Sequence, residues 1–114
     1  MLIPPAYSQI VASKGRPLAD IGVNESGLVR TDALSAIEAL RGSNVPILGG
    51  DVLKMVEGTP RYTYDNWYCD RRTVEDLTAF LQRSWDMAES YVRAYKDPED
   101  GTILYVLVVS ELSA

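Results

Sequence analysis

The sequence predicts a small α+β domain: a mainly antiparallel β-sheet, with a central hairpin and a C-terminal strand, packed against helices. Three patterns carry that reading. They are an extended segment from Val45 to Cys69 broken by turn residues, an amphipathic repeat of helical spacing from Thr73 onward, and a doubly apolar run near the C-terminus. A length of 114 residues with 46% apolar content suits one domain over residues 1–114, with disorder confined to the two ends.

Tyr7, Ile10, Val11 and Lys14 fall at helical spacing between Pro5 and Gly15, which permits a short amphipathic helix. Leu18 to Val23 and Gly27 to Arg30 are short and punctuated by glycine, as in a loop or a minor strand. A helix over 32–41 follows, capped by Thr31 or Asp32, with Leu34, Ile37 and Leu40 on one face and Ala33, Ala36 and Ala39 on a neighbouring strip. Gly42 ends it. The longest helix spans 73–96: Val74, Leu77, Leu81, Ala88, Tyr91 or Val92, and Tyr95 recur three or four residues apart, widened by Phe80, Trp85 and Met87. Thr73 with Asp76 forms a shortened capping box, and Asp97-Pro98 closes the helix. The run 102–110 is β-branched and apolar on both faces, with Ile103, Tyr105, Leu107 and Val109 opposite Leu104, Val106 and Val108, as expected of a central strand.

The hairpin pairs about 45–56 with 61–69 across Glu57-Gly58-Thr59-Pro60, and Gly49-Gly50 marks a bulge or bend in its first strand. A loop of even length makes paired positions sum to an odd number, so odd residues of the first strand share a face with even residues of the second. Leu53 and Met55 then lie with Tyr62 and Tyr64 on an apolar face expected to meet the helices. The opposite face carries Val52, Lys54, Val56, Arg61, Thr63, Asp65 and Trp67, and is expected to be partly exposed. Tyr62, Tyr64, Trp67 and Tyr68 suit either cross-strand packing or an interface.

Composition narrows function. A net charge of −5 and a pI near 4.6 argue against a nucleic-acid surface, which needs clustered cations, and favour a basic partner. Cys69 is the single cysteine, so no intramolecular disulfide forms and a reducing compartment fits. The N-terminal residues do not read as a secretory signal, and the longest apolar run is too short for a membrane helix, so a soluble cytoplasmic protein is expected. Without histidine, neither a Ser-His-Asp triad nor a Cys-His pair can be built. No cofactor or metal is expected. Asp51 and Asp65 form the sole candidate pair of carboxylates, which would serve a small metal- or metabolite-binding domain or enzyme; Ser84 and Cys69 lack a base and read as inert.

Val45-Pro-Ile-Leu-Gly-Gly-Asp-Val52 followed by Tyr64-Asp-Asn-Trp-Tyr-Cys69 resembles the bacterial polymorphic-toxin immunity proteins called immunity protein 40. Ile21-Gly-Val-Asn24 and Asp32-Ala-Leu34 before the hairpin, with a long helix and a strand after it, keep the same order over roughly residues 14 to 109. The resemblance implies a non-catalytic cytosolic protein that binds and neutralises a cognate toxin made beside it. Asp51, Lys54, Arg61, Asp65 and Trp67, on the polar face of the hairpin, are the expected partner-binding residues. The runner-up from another class is the small enzyme or metabolite-binding domain using Asp51 and Asp65, and a structural homodimer through a sheet edge is the third alternative.

Overall fold

The computed structural model describes residues 3–110, so the expected disorder of the extreme ends lies outside the described residues. Helix α1 (Pro5–Lys14) leads to strand β1 (Arg16–Pro17), a 3₁₀ turn at Ala19–Ile21, and strand β2 (Ser26–Gly27), which pairs with β1. Helix α2 (Arg30–Leu40), strands β3 (Ile47–Val56) and β4 (Thr59–Tyr68), helix α3 (Leu77–Ala94) and strand β5 (Ile103–Val109) follow. The larger sheet is antiparallel in the order β4-β3-β5.

The α+β architecture is as expected, but β3 and not the C-terminal strand is central. Beyond β5, Leu28 and Tyr105 exchange backbone hydrogen bonds of 2.8 and 2.7 Å in a single bridge. The doubly apolar pattern of β5 reflects cover above and below rather than a strand on each side. Ile103, Tyr105 and Leu107 join the helix-side core, while Leu104 and Val106 pack under Leu18 on the other face.

Glu57 and Gly58 alone turn the hairpin, with φ of 50° and 82° and Val56 paired to Thr59. Positive φ at both centres gives the twist that antiparallel strands require. The register runs Leu53 to Tyr62 and then Asp51 to Asn66, so Thr63, Tyr64 and Asp65 bulge opposite Val52. Two surplus residues preserve parity, and the expected sharing of faces holds on both sides of the bulge.

Which face meets the helices is the reverse of the expectation. Val52 and Trp67 enter the core beneath α2 and α3, whereas Leu53 and Met55 are covered by Leu18, Ile21, Val23 and Val29. The polarity of the inner face misled because Lys54, Val56 and Arg61 sit exposed near the hairpin tip, and Thr63 and Asp65 are satisfied by hydrogen bonds.

Helix α2 starts at Arg30 with Val29 as its cap and no capping side-chain hydrogen bond, so neither Thr31 nor Asp32 caps it; Asp32 lies in the first turn. Its buried strip is Ala33, Ala36, Ile37 and Leu40. Helix α3 starts later than expected, because Asp76 itself is the N-cap and accepts the Ala79 amide at 2.8 Å. Val74 falls outside the helix and is 96% exposed. Two bonds tie α3 to the chain entering β3: Trp85 Nε1 donates to the Val45 carbonyl at 2.9 Å, and Ser84 Oγ accepts the Ile47 amide at 3.1 Å.

Candidate functional site

The outer face of the main sheet, away from the helices, is covered over one half only. Leu53, Leu104 and Val106 lie under Leu18, with Ile21 and Val23 alongside. Further along, Tyr68 and Val108 flank the buried Gly49 across the strands and are themselves exposed, Tyr68 at 71%, and Tyr64 is 86% exposed. Tyr62 lies beside Tyr64, with ring centres 6.4 Å apart.

Local chemistry holds Tyr64 outward. Thr63 Oγ1 donates to the Val52 carbonyl at 2.8 Å and accepts the Asp65 amide at 3.1 Å, and Asn66 Nδ2 donates to the Tyr64 carbonyl at 3.2 Å. Closed in this way, the bulge keeps Tyr64 at a φ of 69°. Left-handed backbone costs a residue with a Cβ about 1–2 kcal/mol, and such strain concentrates at functional sites.

The patch is acidic. Glu25 precedes β2, and its backbone carbonyl accepts the Leu18 amide at 3.0 Å, which places it on the segment covering the sheet. Burial and then the nearby Asp51 charge raise the pKa of the Glu25 carboxyl. The Tyr62 phenol is raised by burial, then by Asp51 and Glu25. Among the described residues neither carboxylate forms an ion pair.

The five residues expected at the interface do not share one surface. Asp51, half-buried, belongs to the outer patch. Lys54 and Arg61 are cross-strand partners, both exposed, on the helix side near the tip. Asp65 is exposed and, on the helix side, accepts Tyr95 Oη at 2.6 Å. Trp67 is 7% exposed and stacks on Tyr91 at 4.6 Å, so it belongs to the core rather than to a partly exposed face. Gly50 makes room for it, since a Cβ there would stand 2.1 Å from the indole ring.

Asp51 and Asp65 therefore have separate surroundings, and Asp65 lines a shallow hollow with Tyr91, Ala94, Tyr95 and Lys96. Among the described residues no group of three His, Cys, Asp or Glu side chains is placed to hold a metal ion. Cys69 is buried and accepts Arg83 Nη1 at 3.2 Å, with burial the main cause of its raised thiol pKa. Ser84 is spent on backbone bonds to Leu81 and Ile47. Sequence reasoning missed Glu25 and turned Tyr62 and Tyr64 inward. The available signal was Gly50 opposite Trp67, since a glycine facing a large ring marks the side on which that ring packs.

Comparison with known families adds the deciding observation: the model of immunity protein 40 matches residues 17–109. The chain belongs to the immunity protein 40 family. The match runs from Pro17, the second residue of β1, to the end of β5, and so includes the bulged hairpin and the segment that carries Glu25. Membership implies an immunity protein and suggests an inhibitor role rather than a catalytic one. No curated protein and no solved structure matches the chain. No helix among the described residues is long and apolar enough to cross a membrane.

Proposed function

We propose that this protein binds a cognate bacterial toxin in the cytoplasm and neutralises it without catalysis, protecting the cell that makes both. The uncovered outer face of the hairpin is the contact surface, centred on Tyr64 and Tyr68 and edged by Tyr62 and Asp51. One observation carries this choice: Tyr64 is held almost wholly in solvent, at 86% exposure, by a strained and hydrogen-bonded bulge. A ring in water gains nothing for folding, whereas tyrosines are strong anchors at protein interfaces. Lys54 and Arg61 lie on the other side of the strands and fall outside this surface.

Co-expression with the toxin encoded beside the gene tests the proposal. The unaltered chain should rescue growth and co-purify with the toxin, and Tyr64→Ala combined with Tyr68→Ala should weaken binding by about 2–4 kcal/mol, as loss of two aromatic anchors does. Rescue that persists at full strength in the double variant would move the contact surface elsewhere. Failure of the unaltered chain to bind would remove the proposal itself.

A further inference from the structure

The outer patch combines aromatic rings with two carboxylates, Glu25 and Asp51, that form no ion pair among the described residues. Asp51 stands in the middle strand of the sheet, paired across to Asn66 on one side and Val106 on the other. Glu25 reaches the same face through Leu18, whose amide bonds the Glu25 carbonyl at 3.0 Å and whose side chain packs with Val106, the cross-strand partner of Asp51; the charge of Asp51 raises the Glu25 carboxyl pKa, after burial, in keeping with that placement. Three cations of this part of the chain are committed elsewhere or lie on the other face. Arg16 is bonded to Asp20 at 3.2 Å, and Lys54 and Arg61 are on the opposite side of the sheet.

Resting on the immunity reading, we propose that the toxin segment seated here is basic, with Arg or Lys side chains between Glu25 and Asp51 and over the rings of Tyr62, Tyr64 and Tyr68. Two like charges brought under an uncharged partner would lose hydration with no compensation, so an apolar segment is disfavoured at this spot. A guanidinium or ammonium group relieves the repulsion between the carboxylates and is attracted to the faces of the rings. The chain's net charge of −5 acts in the same direction by drawing a basic partner in from a distance. A surface of exposed rings and carboxylates thus selects its partner by charge, and the rings give the contact area.

The test uses the product of the adjacent gene, inactivated by substitution, binding to the full chain. Glu25→Gln with Asp51→Asn should lower affinity about tenfold or more, mostly through a slower association rate, and should flatten its dependence on salt. Glu38→Gln with Asp86→Asn removes the same charge from the helices, around Arg41, and should change affinity by less than about threefold. Equal affinities for the two double variants would overturn the basic segment. So would a loss seen only in the tyrosine variant, which leaves the immunity reading standing; no binding by the unaltered chain removes both. Should the carboxylate variant unfold, hydrogen exchange on the unaltered complex decides. Protection of the amides of Asp51 and Tyr62 to Tyr68 supports the assignment, and unchanged exchange there overturns it.

Discussion

Tyr64 shows how one residue is set against its own backbone. Its φ of 69° suits glycine, yet the position holds a large ring with 86% exposure. Replacing it by glycine removes the Cβ strain of about 1–2 kcal/mol and adds chain entropy of about 0.5–1 kcal/mol, so the two largely offset. Tyr64→Gly should leave the fold unchanged or more stable by up to about 1 kcal/mol in urea unfolding, while weakening toxin binding. A clear loss of stability would show that the ring serves the fold. Trp67, three residues on, is the converse case: its indole is buried and stacked, and it depends on Gly50 having no side chain.

At the level of elements, the start of α3 is fixed by charges that sequence pattern only partly disclosed. Asp76 caps the helix, and Glu75 is thereby left outside it to receive the Arg83 guanidinium, with both contacts at 2.7 Å. These hydrogen bonds from Arg83 lower the Glu75 carboxyl pKa from 4.5 to about 2. A carboxylate with a depressed folded-state pKa contributes stability that is present above its unfolded value and is lost as pH falls through the folded one. The urea midpoint should therefore decline between about pH 4.5 and pH 2, and Glu75→Gln should reduce that decline while lowering the midpoint at pH 7. An identical pH profile in the variant would show that the pair does not contribute. The same arginine reaches the Asp70 carbonyl at 2.6 Å, so the interaction also joins α3 to the end of β4.

Across the whole molecule, the sheet is covered unequally on its two sides. Helices form the larger core, and the short segment from Leu18 to Val29 forms the smaller one, with Leu18 fully buried against Leu53, Leu104 and Val106. That segment looks like an ordinary loop in sequence, yet it covers half of the outer face and carries Glu25, whose carbonyl accepts the Leu18 amide. Leu18→Ala should cost about 2–5 kcal/mol, the range for a leucine lost from a packed core, measured by chemical denaturation. A cost under about 1 kcal/mol would mean that the outer cluster adapts freely. Because the cover stops short of Tyr68 and Val108, a partner can meet the sheet there without displacing any part of the core.

The α+β class, the order of the main helices and strands, the parity of the hairpin and the family were all legible in the amino-acid order. Each of these follows from periodicity, turn residues or motif, which are local properties of the chain. Only the tertiary structure decided that β3 is central, that Val52 and Trp67 turn inward, and that the tyrosines face solvent. Alternation along a strand shows that two faces differ, but not which one the helices will cover, and here the polar residues of the inner face lie near an exposed tip or are hydrogen-bonded, Thr63 to the Val52 carbonyl and Asp65 to the Tyr95 hydroxyl. The placing of Glu25 on the same side of the sheet as Asp51 was equally hidden, because it joins positions far apart in the chain through the packing of Leu18 on the sheet.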